Sequence, residues 1–309
     1  MYIYKQREGF IDMEYMKLNE DVSLSRIIQG FWRLTDWQLS IDDLITFIEN
    51  CIERGVTTFD TAEIYGGGEC EIEIGKALKK APHLREKMQI VTKTGIFVQE
   101  INGEKMGYYD TRYERIISSC KKSIENLNCE YIDLYLIHRE DPCINHSEVA
   151  RALNDLLEQG LIKAAGVSNF DPAKFEALQS EMNGKLVTNQ IEVSPICFEH
   201  FNSGMMDVLG KHHISPMIWS PLAGGSLFTS EEEIYRKARG KIEEIAKRHK
   251  VASDTIVYAW LMYHPVKPMP ISGSGKLERL DNAIKALDVK LSHHEWYEIY
   301  IASGQQILR

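Results

Sequence analysis

The sequence has few features that would tie it to a membrane, an oxidising compartment or a nucleic acid. Its 309 residues include six cysteines without a Cys-x-x-Cys pair, and most fall inside predicted helices, where packing explains them as well as chemistry does. No apolar run approaches the roughly 20 residues of a spanning helix, and the N-terminus has no apolar signal-peptide region. Acidic residues exceed basic ones by 45 to 36, a formal net charge of −9, and no basic cluster is dense. We therefore expect a cytoplasmic protein without membrane or nucleic-acid partners.

Familiar cofactor and metal motifs are also incomplete. The run Gly66–Gly68 does not complete the dinucleotide fingerprint GxGxxG, because Glu71 occupies the last glycine position. The pair Gly275-Lys276 is followed by Leu277 instead of Ser or Thr, so the P-loop is absent as well. The adjacent histidine pairs lack the spacing of zinc ligands. A metal-dependent hydrolase is therefore disfavoured, and we expect no metal site.

Short apolar strands alternate with amphipathic helices along most of the chain. Strands are predicted at 26–30, 56–60, 89–93, 132–137, 163–167, 187–192, 215–219 and 267–271. Helices are predicted at 41–52, 69–80, 111–127, 147–159, 171–181, 201–212, 231–249, 253–263 and 276–287. Apolar strands of this kind are typical of a parallel sheet covered by helices. Eight units favour a closed (β/α)8 barrel, a TIM barrel of the α/β class, over an open doubly wound sheet.

Further segments are added to this predicted barrel. Residues 1–15 are interpreted as an N-terminal extension, upstream of a start at Met13 or Met16, and residues 16–309 as one barrel domain. A β-ribbon is predicted from Met16 to Ser25, a long loop over 96–110, and an extra C-terminal helix at about 292–303.

Polar residues fall where the predicted strands end, which is the rim that bears the chemistry of such barrels. They are Asp60, Lys93, His138, Ser168, Asn169, Gln190, Glu192, Trp219, Ser220 and the segment 272–276. Taken singly, each has a structural explanation: Asp60 could cap a loop, Lys93 could be a rim cation, and His138 could be a satisfied core histidine.

Four of the rim residues make chemical sense as a group. A phenol has a pKa near 10, so Tyr65 can donate a proton near neutral pH only if positive charge stabilises its phenolate, and Lys93 would supply that charge. A buried ammonium needs a counter-charge, which Asp60 provides. His138 could donate to a carbonyl oxygen and orient it. The set suits general acid catalysis at an oxygen, and since none of the four supplies a hydride, a cofactor is implied.

From about Leu18 to the last helix, a sequence with these rim residues resembles the aldo-keto reductase family. The matching segments are Phe59-Asp-Thr-Ala-Glu-Ile-Tyr65-Gly, Val91-Thr-Lys93-Thr-Gly, Ile132-Asp-Leu-Tyr-Leu-Ile-His138, Gly166-Val-Ser-Asn-Phe170, Asn189-Gln190 and Trp219-Ser-Pro-Leu222. The resemblance implies a catalytic tetrad, with Tyr65 as proton donor: Asp60, Tyr65, Lys93 and His138. It implies nicotinamide ligands at Ser168, Asn169 and Gln190 and a stacking aromatic at Trp219. Helix capping by Ser168-Asn169 and a core position for Trp219 are the alternatives.

The resemblance also implies NADP(H) as the cofactor. The loop after Trp219 would fold over the pyrophosphate, with residues Ser220, Pro221, Leu222, Gly224 and Gly225, and would be mobile without cofactor. The adenosine-phosphate site would comprise Ser272, Gly273, Ser274, Gly275, Lys276, Arg279 and Asn282, with Lys276 and Arg279 suited to a 2′-phosphate. Gly273 takes the place of a lysine that is usual in this loop. A solvated charged helix face is the alternative for Lys276 and Arg279.

The substrate is expected to be a small carbonyl compound. Trp32, Tyr65 and His138 are the predicted substrate-binding residues, and Phe31, Phe97 and Ile196 are further candidates for the pocket wall. Little sequence follows the last helix, so a C-terminal loop that narrows the site would be short, and we expect an open, permissive site. We also expect a monomer or weak oligomer. The leading hypothesis is an NADPH-dependent carbonyl reductase. The alternative is a nucleotide-binding regulatory subunit with little turnover, resembling the potassium-channel β subunits.

Overall fold

A computed structural model describes residues 12–101 and 103–306, and it begins with the predicted ribbon. Strand β1 (Tyr15–Lys17) pairs antiparallel with β2 (Ser23–Ser25). Val22 and Leu24 are buried among side chains of the barrel interior, so the ribbon closes the N-terminal end of the barrel. The predicted extension lies mostly outside the described residues.

Eight parallel strands close into the predicted barrel. In chain order they are β3 (Ile28–Gly30), β4 (Thr58–Asp60), β5 (Gln89–Thr94), β8 (Leu134–Ile137), β9 (Ala165–Ser168), β10 (Asn189–Glu192), β11 (Met217–Trp219) and β12 (Met269–Ser272). Closure is made between β12 and β3, where Ser272 lies opposite Gln29. Closure places the carboxyl ends of all eight strands on one rim.

Helices surround the barrel and bury their apolar faces against it. They are α1 (Ile41–Glu53), α2 (Glu69–Lys80), α3 (Tyr113–Asn126), α4 (His146–Glu158), α5 (Pro172–Glu181), α6 (Glu199–Asn202), α7 (Met205–His212), α8 (Ser226–Thr229), α9 (Glu233–His249), α10 (Ser253–Met262), α11 (Leu277–Lys285) and α12 (His293–Ala302). The larger apolar core lies between strands and helices, and the smaller one fills the barrel interior. Within the described part of the chain, no helix is long and apolar enough to cross a bilayer.

The segment predicted as a long loop is a β-hairpin instead. Strands β6 (Ile96–Ile101) and β7 (Glu104–Tyr109) pair antiparallel, and Phe97 stacks on Tyr108 with ring centroids 5.5 Å apart. The alternation of polar and apolar residues that marks a half-buried strand is weak here, because most of the hairpin is exposed.

Two other predicted segments differ from the structure. The helix predicted at 201–212 is broken into α6 and α7 at Gly204, whose φ of 81° lies in the left-handed region. The loop expected over the pyrophosphate contains a 3₁₀ turn at Ala223–Gly225 and the short helix α8.

The extra C-terminal helix is present as α12, which packs on α9 and α10. Ser292 and Glu295 form a capping box at its start. Trp296 stacks on Trp260 at 5.2 Å, and the indole N–H of each donates to the backbone carbonyl of the other at 3.1 Å. Reciprocal bonds of this kind satisfy both buried indoles and fix the helix on the barrel.

Candidate functional site

A buried ammonium lies at the centre of the site. The side chain of Lys93, in β5, is fully buried, and its Nζ donates to Asp60 Oδ2 at 2.8 Å, to the Thr61 carbonyl at 2.7 Å and to Tyr65 Oη at 3.2 Å. Asp60 ends the neighbouring strand β4, whereas Tyr65 begins the 3₁₀ turn Tyr65–Gly68 that follows it. All three donor positions of the ammonium are therefore used, two of them by predicted tetrad members.

The electrostatics keep this ammonium charged. Burial is the largest single influence and acts to lower the pKa of Lys93, but the attractions of Asp60 and Tyr65 together outweigh it and raise that pKa. An ion pair this deep is stable only if its remaining polar atoms are also bonded. That condition is met, because Gln190 Nε2 donates to the second carboxylate oxygen of Asp60 at 2.7 Å.

Tyr65 is held as a neutral phenol. Burial raises the pKa of Tyr65, and Lys93 opposes that rise without cancelling it. The expected stabilisation of the phenolate by Lys93 is therefore present, but burial outweighs it. A phenol that keeps its proton near neutral pH and contacts an ammonium can release that proton when negative charge builds on a neighbouring oxygen.

His138 follows β8 directly and faces the same centre. Its ring lies edge-on to Tyr65, with centroids 5.7 Å apart, and its buried Nδ1 has no hydrogen-bond partner among the described residues. Burial, with added repulsion from Lys93 and Arg139, holds the pKa of His138 well below its usual range. The imidazole is therefore neutral and is not a satisfied core histidine.

Three predicted amide and hydroxyl ligands line the ends of β9 and β10. Ser168 Oγ donates to the backbone carbonyl of Gln190 at 2.9 Å, and Asn169 Nδ2 donates to Ser168 Oγ at 2.8 Å. The alternative of helix capping is wrong, because α5 is capped by Asp171, whose side chain accepts from the Lys174 amide. Ser168 and Gln190 are buried at the strand ends, and Asn169 is partly exposed.

Asn169 links the rim residues of three strands. Its Nδ2 also donates to the His138 carbonyl at 3.2 Å, and its Oδ1 accepts from Trp219 Nε1 at 2.9 Å. Its φ of 58° is in the left-handed region, where a non-glycine residue is uncommon and costs free energy. The strained backbone aims the amide at both neighbours and fixes the Trp219 ring, which is partly buried and also packs against the barrel-interior core.

The loop after Trp219 exposes its backbone. Ser220 has a φ of 49°, and Gly224 and Gly225 have φ values of 65° and 100° with nothing within 4 Å of an added Cβ. Pro221 lies in the same turn, and Leu222 packs against the apolar core. A ligand can therefore approach the two glycines closely.

The segment after β12 has a similar opening and one free cation. Nothing lies within 4 Å of a Cβ added at Gly273, whereas Gly275 is packed against the Trp37 ring. Ser274 Oγ accepts from the Lys276 amide at 3.2 Å, next to the buried strand end Ser272. The Lys276 side chain is exposed and makes no ion pair with any residue that the structure describes.

The other two predicted ligands of this segment are bound to a residue that the sequence analysis missed. Arg279 donates to Asp254 Oδ2 at 2.9 Å, and Asn282 Nδ2 donates to both oxygens of that carboxylate, at 3.1 and 3.2 Å. Asp254 is 2% exposed and lies at the start of α10, far from α11 in sequence. The Arg279 side chain remains 58% exposed, so part of its guanidinium is open to a ligand.

The predicted pocket wall is only partly assembled. Phe31 is wrong as a wall residue: it is fully buried and stacks on Phe59 at 5.6 Å in the core behind the barrel. Trp32 is 58% exposed at the rim, and Ile196 is partly buried. Phe97 is in the hairpin, held under the Arg115 guanidinium at 3.5 Å.

Two charged residues near the centre were not predicted. Glu63 accepts from Thr94, Gly95 and Arg115 and so ties the start of the hairpin to the turn before Tyr65. Arg139 immediately follows His138 and lies with its guanidinium carbon 5.6 Å from the Trp219 ring centroid. Its position next to His138 was a signal that the sequence offered.

Across residues 12–101 and 103–306, no cluster of three or more His, Cys, Asp or Glu side chains is arranged to hold a metal ion.

Comparison with known proteins places this geometry in a family. Residues 26–303 match the family model described as the aldo/keto reductase family. The chain is 42% identical over 293 residues to the uncharacterized oxidoreductase YcsN of Bacillus subtilis (strain 168), covering 94% of this chain and 98% of that protein. It is 40% identical over 299 residues to a 6-dehydroglucose reductase of Agrobacterium fabrum, covering 96% and 100%. The crystal structure of the thermostable aldo-keto reductase Tm1743 with the inhibitor epalrestat superposes with a TM-score of 0.79 at 29% identity, covering 94% of this chain and 100% of that one.

Proposed function

The chain belongs to the aldo/keto reductase family, and on that premise we propose that it reduces aldehyde or ketone carbonyls to alcohols with NADPH, using Tyr65 as the proton donor. Oxidoreductases that act on carbonyl groups are what the family comprises. The observation that supports the finer assignment best is the Lys93 ammonium, which contacts Asp60 and the Tyr65 hydroxyl at once.

The residues present fit a nicotinamide dinucleotide. The backbone is open at Gly224, Gly225 and Gly273, where phosphates need close approach, and Lys276 offers an unpaired cation. Asn169 and Trp219 present an amide and a fixed aromatic ring at the rim. NADPH would supply the hydride, and Ser168, Asn169, Gln190 and Trp219 would hold its nicotinamide.

The tetrad residues would then act on the carbonyl oxygen. The neutral His138 would donate a hydrogen bond to that oxygen and orient it. Tyr65 Oη would donate its proton as negative charge builds there, and the phenolate left behind would be stabilised by Lys93. Asp60 would balance the ammonium before the reaction, and the phenolate formed by proton transfer would lie beside Lys93.

The first test is an NADPH oxidation screen over aldehydes, ketones and quinones. A 6-aldehydo sugar belongs in the panel, because one relative is named a 6-dehydroglucose reductase. Replacing Tyr65 with Phe keeps the ring and removes the hydroxyl, so NADPH binding should persist while the hydride-transfer rate falls by about 10²–10⁴-fold or more. Lys93→Met should act on the same step, and the double variant should lose much less than the two separate barriers combined.

Several results would contradict the proposal. Tight NADPH binding without turnover of any carbonyl would favour the regulatory-subunit alternative. Near-normal turnover in Tyr65→Phe would exclude Tyr65 as the acid, and strict additivity with Lys93→Met would exclude their coupling. Cys143→Ser serves as a control, because that exposed thiol lies outside the tetrad.

A further inference from the structure

Arg139 is a partly buried cation that directly follows His138 and has no ion-pair partner among the described residues. It lies over the Trp219 ring at 5.6 Å. It forms no ion pair and no hydrogen bond with any residue in the described ranges. Lys93 differs in this respect, because Asp60 neutralises it at 2.8 Å.

The charge of Arg139 acts on the reacting groups. Burial raises the pKa of Tyr65 and lowers that of His138, and Arg139 acts to lower both pKa values, as Lys93 does more strongly. Arg139 also acts to lower the pKa of Glu192 at the end of β10, which burial raises. Arg139 directly follows His138, whose ring centroid lies 5.7 Å from that of the proposed proton donor Tyr65, and it forms no ion pair with Glu192.

We propose that Arg139 binds an anionic group on the substrate, so that carbonyl compounds bearing a carboxylate or phosphate are preferred over neutral ones of the same shape. This rests on the proposed function. A half-buried guanidinium has already lost part of its hydration and offers a planar set of donors that matches the oxygens of a carboxylate or phosphate. The carbonyl end of the substrate would lie at Tyr65 and His138, and its anionic end would reach Arg139.

A structural role for Arg139 gives a different expectation. The guanidinium over Trp219 could serve only to hold that ring, as cation–π contacts do. In that case, loss of Arg139 would affect nicotinamide binding and would treat charged and neutral substrates alike. The comparison of two matched substrates separates these roles.

The experiment compares 4-formylbenzoate with its methyl ester, which differ in charge and little in shape. In Arg139→Met the ratio of kcat/KM for the carboxylate to that for the ester should fall about 10- to 100-fold, the size expected for a charge-assisted bond. Arg139→Lys should retain a substantial part of the preference. Arg151→Met is the matched control: Arg151 lies over Tyr113 at 4.3 Å on the outer helix α4, and its loss should leave the ratio unchanged.

Two further measurements test the proposal, one on the wild type alone and one that needs no turnover. In the wild type, raising the salt concentration should lower kcat/KM for the carboxylate more than for the ester. The dissociation constant of 4-(hydroxymethyl)benzoate, followed by tryptophan fluorescence, should also rise about 10- to 100-fold in Arg139→Met without any turnover being needed.

The outcomes distinguish the two proposals. If the wild type reduces both aldehydes and Arg139→Met leaves their ratio and the alcohol affinity unchanged, the role of Arg139 is wrong and the reductase assignment stands. If neither aldehyde reacts but the carboxylate alcohol binds through Arg139, the anion site stands and the proposed reaction fails. An equal loss for both substrates with weakened NADPH binding would assign Arg139 to holding Trp219.

Discussion

The charged residues of the proposed phosphate site differ in their ion-pair and hydrogen-bond partners. Arg279 is tied to the buried Asp254, and removing it would leave that carboxylate with only Asn282 as a side-chain partner. Leaving the buried Asp254 carboxylate without its cation destabilises the fold as well as any ligand contact. Lys276 makes no ion pair with any residue that the structure describes. Its replacement therefore tests a 2′-phosphate site without exposing a buried carboxylate.

We predict that Lys276→Ala weakens NADPH binding about 10- to 100-fold and NADH binding hardly at all. A charge-assisted phosphate contact contributes about 1.5–3 kcal/mol, and NADH has no phosphate at that position. Fluorescence titration with both nucleotides measures the effect. Lys285→Ala, an exposed lysine in the last turn of the same helix, is the control. Equal losses for NADPH and NADH would move the phosphate site elsewhere.

The distance between helices α2 and α3 depends on a close contact that a side chain would prevent. At Gly75 in α2, an added Cβ would lie 1.9 Å from the backbone oxygen of Asn126, at the end of α3. The α3 backbone cannot move away without a large cost in free energy, because the added Cβ would also contact the backbone of Leu127, which is fully buried. Next to this contact the buried Glu71 accepts from Thr92 at 2.6 Å. Helices α2 and α3 thus approach each other through a position that requires glycine.

Gly75→Ala should therefore destabilise the protein by about 3 kcal/mol or more, in the range of severe core overpacking. Gly240→Ala offers the matched comparison, since Gly240 is also inside a helix, is exposed, and has nothing within 4 Å of an added Cβ. That change should stabilise by about 0.5–1 kcal/mol through helix propensity. Denaturant unfolding of both variants gives the two free energies, and a neutral Gly75→Ala would show that the helices can separate.

The stability of the whole molecule depends on pH through two buried histidines, His138 and His200, and a partly buried one, His264. Burial is the main cause of the lowered pKa of His138, His200 and His264. A histidine whose pKa is lower in the folded state binds fewer protons there than in the unfolded chain. Its contribution is therefore fully present above the unfolded pKa of about 6.5 and is lost as pH falls below it. Buried carboxyls such as Glu71 and Asp133 have raised pKa values and act in the opposite sense.

Replacing His200 and His264 with Gln should make the unfolding free energy less sensitive to acid. Linkage limits the effect of each histidine to about 1.4 kcal/mol per pH unit below about 6.5, and the variant should lose less unfolding free energy than the wild type when the pH falls from 7.5 to 5.5. The carboxyls are common to both proteins, so their effect cancels in the comparison. Urea unfolding at pH 7.5 and 5.5 measures the difference. An equal loss of stability in both proteins would show that neither histidine is buried neutral.

The sequence by itself determined the architecture and the rim that bears the chemistry. Predicted apolar strands of five or six residues alternating with helices can bury their faces only in a helix-covered parallel sheet. Since parallel strands all end on the same side, Asp60, Lys93 and His138 had to lie together. In the structure Lys93 contacts both Asp60 and Tyr65, and the His138 ring lies 5.7 Å from that of Tyr65. The hairpin was missed although Asn102-Gly103 is a pair favoured in tight hairpin turns.

Only the tertiary structure decided which partner each side chain has. Arg279 meets Asp254 because α10 and α11 pack side by side, a contact that no local pattern indicates. The Phe31 side chain lies in the core, where it stacks on Phe59 behind the strand. The pKa of Tyr65 depends on whether burial or Lys93 dominates, and the unpaired charge of Arg139 depends on what surrounds it in space. Desolvation and pairing are properties of three-dimensional environment, so residue type and spacing do not specify them.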